Sequence, residues 1–199
     1  MSAPELASHL ERLGQRLEML RAESVEPMAT AIESAWRRNA SMFVAGNGGS
    51  AVTALHFATD LCKTTLSGDD QSPRIKAIAL SANVGLLTAW SNDESFEQVF
   101  AEQLRNLACD GDLVILISTS GDSSNLLATA AVAKDLGVYS VAIAPQGSTL
   151  SGMVDITVAV EGETPQIAED LHLAICHAVT TYMQAVLACL LYTSPSPRD

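Results

Sequence analysis

Phe43-Val44-Ala45-Gly46-Asn47-Gly48-Gly49-Ser50 carries an apolar run directly into a glycine-rich turn, and a helical pattern follows at once. The order strand, turn, helix is the unit from which the rest of the chain is built. Glycines at 46, 48 and 49 let the backbone turn tightly and approach a ligand, while Asn47 and Ser50 supply polar side chains and a helix N-cap. Such a turn suits an anionic or hydroxyl-rich small molecule, although an ordinary strand-to-helix turn has the same composition. The third glycine of a dinucleotide fingerprint is missing, and no lysine follows as a phosphate-binding P-loop requires.

Further short apolar runs repeat the pattern. Strands are expected at Met42–Ala45, Ile75–Leu80, Leu113–Ile117, Val138–Ile143 and Val154–Val160, alternating with helices at about 50–62, 84–90, 95–108, 122–136 and 165–191. The alternation predicts an α/β fold, a doubly wound five-stranded parallel sheet with its ligand at the carboxyl ends of the strands. Ahead of it, Leu6, Leu10, Leu13, Leu17 and Leu20 form a helical stripe over 4–23, and a second helix carries Met28, Ile32 and Trp36 over 25–38. This N-terminal helical hairpin (about 1–39) either caps the core or, the favoured reading, packs as an arm on another subunit. Residues 64–73 form a polar loop.

The 199 residues fit one domain, taken as 1–192, and 48% apolar content is ample for its core. A net charge of −12 argues against nucleic acid or an anionic membrane as the main partner. Cys62, Cys109, Cys176 and Cys189 are too scattered for a zinc knuckle or a disulfide framework. With no basic leader and no run of about 18 apolar residues, a cytoplasmic location is expected. Residues 189–199 resemble translated sequencing adaptor, and 193–199 are expected to be a non-native or disordered tail without functional weight.

A second loop, Ser118-Thr119-Ser120-Gly121-Asp122-Ser123-Ser124-Asn125, follows the Leu113–Ile117 run as the first loop follows its own strand. Clustered hydroxyls, backbone amides and the positive end of the next helix make a phosphate cradle that needs no lysine; hydroxyls in such loops also serve as plain helix caps. His56 and Asp60 are four apart on one helix face, and Glu169, His172 and His177 form a second group on the last helix. Both groups can bind metal or exchange protons, and a hydrogen-bonded surface pair explains His56 and Asp60 as well. At ~1.5 Å rise per residue, Glu169 and His177 are about 12 Å apart along the helix axis, so sharing one ion would demand converging side chains.

Gly46-Asn47-Gly48-Gly49-Ser50, His56-Phe57-Ala58-Thr59-Asp60-Leu61, Ser91-Asn92-Asp93, Ser118 to Ser123, and Glu169-Asp170-Leu171-His172 through His177 together resemble the sugar isomerase (SIS) domain of the phosphoheptose isomerase type, over about residues 5–190. The resemblance implies a homotetramer with active sites between subunits that converts sedoheptulose 7-phosphate to D-glycero-D-manno-heptose 7-phosphate. It implies that Asn47, Gly48 and Gly49 contact the sugar, with Ser50 in the same binding turn, that Asn92 and Asp93 line the site, and that Ser118, Thr119, Ser120 and Ser123 hold the phosphate. His56, Asp60, Glu169 and His177 match zinc ligands of the family, Asp60 and His177 its acid/base pair, and His172 a flanking residue. Asp60 stands where the family usually has glutamate, and Glu169 where it has glutamine.

The implied reaction moves one proton between C1 and C2 and another between the two oxygens, through an enediol. Asp60 or Glu169 is the expected base, and His177 the oxygen-side group. Zinc would polarise the carbonyl, which weakens a bound Asp60 as a base. The alternatives are a non-catalytic SIS protein, either a phosphosugar binder or a tetrameric adaptor of the replication-initiation regulator type, and an isomerase of another ketose phosphate.

Overall fold

A computed structural model describes residues 3–66 and 74–193, with side chains described as far as 189. Most of the 64–73 loop and residues 194–199 of the tail therefore lie outside the described residues. Five strands, β1 (Ser41–Gly46), β2 (Lys76–Ala79), β3 (Leu113–Ile117), β4 (Tyr139–Ala144) and β5 (Ile156–Ala159), form one all-parallel sheet in the order β2-β1-β3-β4-β5. The central strands read as unbroken apolar runs because both faces are covered, and every residue of β3 is buried.

Alternate side chains sort into two cores. Met42, Val44, Ile115 and Val141 point into one, filled by α2 (Ala22–Arg37), α3 (Gly49–Thr59) and α7 (Pro165–Thr193). Phe43, Ala45, Val114 and Leu116 point into the other, filled by α5 (Ala101–Leu107) and α6 (Ser124–Leu136). Each fully buried large side chain in these layers, such as Phe57 or Leu104, stabilises by ~1.5–3 kcal/mol.

The chain leaves β1 for one edge of the sheet and β3 for the other, so β1 and β3 flank the switch point. Because α3 and α6 depart from these neighbouring strands onto opposite faces, this is where the switch-point rule expects a ligand.

Local details depart from the periodicity. The helix expected over 95–108 is broken into a 3-10 turn (Phe96–Gln98) and α5, with Val99 and Phe100 buried where the chain turns. The helix expected over 50–62 gives way at Asp60 to a π-turn, Asp60–Thr64, closed by the Thr65 N–H on the Asp60 carbonyl at 3.1 Å. In place of an Asn47 or Ser50 cap, Gly48 occupies the N-cap of α3 and no side chain caps it.

The N-terminal helices α1 (Pro4–Met19) and α2 both contact α7. α2 buries Met28, Ile32 and Trp36, whereas α1 buries none of its residues and leaves Leu6 and Leu10 each 67% exposed. Arg12 and Arg16 tie α1 to Glu163 at 3.6 and 3.0 Å. Although no unbroken apolar run was expected, α7 from Pro165 to Cys189 is long and apolar enough to cross a membrane. It carries Glu169, Asp170, His172 and His177 and packs against α1, α2 and α3, as a core helix does.

Candidate active site at the sheet switch point

The first loop runs from the end of β1 into α3. Gly48 adopts φ +54°, a conformation that disfavours any side chain. A β-carbon on Gly49 would run into the Glu169 carboxylate, which α7 lays over the first turn of α3. Glu169 thus faces the positive end of that helix and makes no side-chain hydrogen bond or ion pair among the described residues.

The second loop is braced internally. Ser118, buried at the end of β3, accepts the Gly121 N–H at 2.9 Å, and Ser120 accepts the Asp122 N–H at 3.3 Å. Asp122 turns its carboxylate aside to accept the Thr149 N–H at 3.2 Å, and hydrogen bonding from the Thr149 side chain first and its N–H second holds the Asp122 pKa below the usual carboxylate value. Among the described residues no side chain caps α6 behind Ser123, and the Leu126 N–H is taken by the Ser123 carbonyl, so the Ser124 and Asn125 amides remain available to an anion.

The two loops are joined by Asn125, which composition and spacing did not single out. Its amide and that of Asn47 exchange two hydrogen bonds, each 2.8 Å, and Asn125 is only 1% exposed. The available signal was a polar residue in the first turn of α6, past the cap, where no turn or cap explains it.

A third group lies on α3, its π-turn and α7. The Asp60 Oδ2 is 3.5 Å from His56 Nε2 and 3.7 Å from His177 Nε2, and the two imidazole nitrogens are 3.3 Å apart. Two ligands ~2.0–2.1 Å from a tetrahedral ion lie about 3.3–3.4 Å from each other, so the set fits a divalent metal such as zinc. The side chain of Asp60 is 13% exposed, while those of His56 and His177 are 47% and 49% exposed, which leaves the group open on one side. Glu169 is not part of this three-residue cluster; the helical rise anticipated that separation.

Two buried neighbours on α7 complete the surroundings. His172 is fully buried, neither ring nitrogen has a partner among the described residues, and burial lowers its pKa to about 4, so it is neutral. Burial, with the Asp60 charge nearby, pushes the Cys176 thiol far above its ordinary value and keeps it protonated. Asn92 and Asp93, at the exposed end of α4 (Val84–Asp93), hydrogen-bond to each other at 2.8 Å and to none of the other candidates. A concavity of about 670 Å³ near Thr30, Arg38 and Tyr139 is bordered by none of the candidate residues.

The SIS domain profile matches residues 7–145, so the chain belongs to the SIS domain family. Curated relatives named phosphoheptose isomerase match most of its length. The phosphoheptose isomerase of Geobacter metallireducens is 36% identical over 179 residues, covering 88% of this chain and 91% of that one. The enzyme of Crocosphaera subtropica is 40% identical over 150 residues, covering 73% and 74%. Among solved structures, the phosphoheptose isomerase of Francisella tularensis superposes with a TM-score of 0.84 at 28% identity, covering 93% of this chain and all of the other.

Proposed function

We propose that this chain is a phosphoheptose isomerase of heptose synthesis, converting sedoheptulose 7-phosphate to D-glycero-D-manno-heptose 7-phosphate. The observation that carries the reading is the convergence of His56, Asp60 and His177 in a protein whose relatives are named phosphoheptose isomerases. Ser118, Thr119, Ser120 and Ser123, with the Ser124 and Asn125 amides of α6, hold the phosphate; Asn47, Gly48, Gly49 and Ser50 face the sugar.

The carboxylates divide the labour. One Asp60 oxygen faces both imidazoles, and the other accepts the Thr64 hydroxyl at 2.9 Å, so Asp60 suits the role of ligand. Glu169 has an unengaged carboxylate and is the better base. It removes the C1 proton of the ketose while the carbonyl oxygen at C2 gains one, giving the enediol; return of the carbon proton to C2 and loss of the O1 proton give the aldose. His177 serves the oxygen side when its Nε2 is free of an ion. A zinc ion held by His56, Asp60 and His177 would supply charge stabilisation for the enediolate. Glu169 where the family has glutamine thus supplies basicity, and Asp60 keeps a ligand one methylene shorter.

Residues 1–192 form a single domain in this reading, with α1 as an arm whose exposed Leu6 and Leu10 are covered in a homotetramer. Such an assembly would also bring Asn92 and Asp93 to a neighbouring site. The enzyme would act in the cytoplasm. Incubation of the zinc-supplied protein with sedoheptulose 7-phosphate tests the reading: aldose product is expected, whereas tight binding without turnover would make the chain a phosphosugar-binding protein instead.

A further inference from the structure

Most of the described helical threonines share one habit. Thr53, Thr59, Thr65, Thr88, Thr129 and Thr180 each donate their hydroxyl to the backbone carbonyl four residues earlier, at 2.6–3.3 Å. Thr64 departs from it. Its hydroxyl passes over the carbonyl of Asp60 and donates instead to that residue's side chain, Oδ1, at 2.9 Å. The change coincides with the π-turn, which hands the Asp60 carbonyl to the Thr65 N–H.

We propose that Thr64 is a positioning residue that fixes the rotation of the Asp60 carboxylate for ion binding. The inference rests on reading His56, Asp60 and His177 as a divalent-ion site. A carboxylate on a short side chain can turn about its last bond and present either oxygen. Occupying Oδ1 with a hydroxyl proton leaves Oδ2 directed at His56 and His177, the orientation observed at 3.5 and 3.7 Å. The hydrogen bond to the remaining oxygen plays the part that outer partners play around metal ligands generally. The turn is itself anchored to the helix that bears His177, because Gln184 on α7 donates to the Thr64 carbonyl at 2.8 Å. Backbone placement therefore depends on Gln184, while carboxylate rotation depends on the Thr64 hydroxyl, and the two are separable by substitution.

The test is a cobalt(II) titration of the metal-stripped full chain, following the visible absorption of the bound ion, for the parent protein, Thr64→Val and Thr64→Ser. Thr64→Val is expected to weaken cobalt binding ~10–100-fold with its helical circular dichroism unchanged, and Thr64→Ser to bind within about 3-fold of the parent. Equal affinity of parent and Thr64→Val overturns the inference, as does equal weakening by Thr64→Ser. Should valine prevent folding, Thr64→Ala carries the same comparison. A parent protein that binds no cobalt at micromolar concentration refutes the ion site and the inference with it, whereas a parent that binds beside an unaffected Thr64→Val refutes the inference alone.

Discussion

His172 makes folding stability depend on pH in a way that can be calculated. The ring is fully buried without a hydrogen-bond partner among the described residues, and burial takes its pKa from 6.5 down to about 4. Between those values the unfolded chain binds a proton that the folded chain refuses. Stability from this group is therefore complete above pH 6.5 and is lost as the pH falls towards 4. The 2.5-unit difference corresponds to about 3 kcal/mol in all, of which about 2 kcal/mol is lost between pH 7.5 and pH 5. Other titrating groups contribute too, so the quantity to measure is the stability difference between the parent protein and His172→Leu, which removes this one group. Urea unfolding followed by circular dichroism, at one protein concentration because subunit association would contribute, should show that difference shifting by about 2 kcal/mol in favour of leucine at pH 5. A difference that stays constant to within about 0.5 kcal/mol would refute the reasoning. It would mean that His172 keeps a near-normal pKa, as a ring with a good hydrogen-bond partner would.

Gly49→Ala places a methyl group where the Glu169 carboxylate lies, so it should cost ~1–3 kcal/mol of stability and lower kcat more than it raises KM; unaltered kinetics would show that Glu169 is not needed there. Asn125→Leu leaves the Asn47 amide without its partner and should lower stability by ~1–3 kcal/mol while raising KM for the phosphosugar, measured by urea unfolding and steady-state kinetics. Asp60→Ala, Glu169→Ala and His177→Ala should each cut isomerase turnover by at least ~100-fold; full activity in all three would discard the acid–base scheme.

The sheet could be read from the chain because its central strands are continuous apolar runs, and Leu113–Ile117 lies buried on both faces as such a run requires. Equally legible were the two loops and the four-residue step from His56 to Asp60, since both depend on local order alone. What escaped depends on contacts between distant segments or on small changes of helical register. The π-turn at Asp60 has no signature in periodicity, so the bond from Thr64 to its carboxylate went unnoticed although the spacing of four was visible. Asn47 and Asn125 are 78 residues apart, and only the adjacency of β1 and β3 brings their amides together. The break near Phe100 is a tertiary override, in which burying Val99 and Phe100 outweighs continuing one helix over 95–108.

Turnover requires one site at the carboxyl ends of β1 and β3 to serve both ends of the substrate. A crystal structure of the zinc-loaded assembly with sedoheptulose 7-phosphate, recorded with anomalous scattering at the zinc edge, tests this directly. The expected result is a phosphate seated against Ser118–Ser123 and a single zinc peak among His56, Asp60 and His177, with C1 and C2 of the sugar between that ion and Glu169. A phosphosugar bound elsewhere, or one whose reacting carbons lie far from both His177 and Glu169 in every subunit, would contradict it.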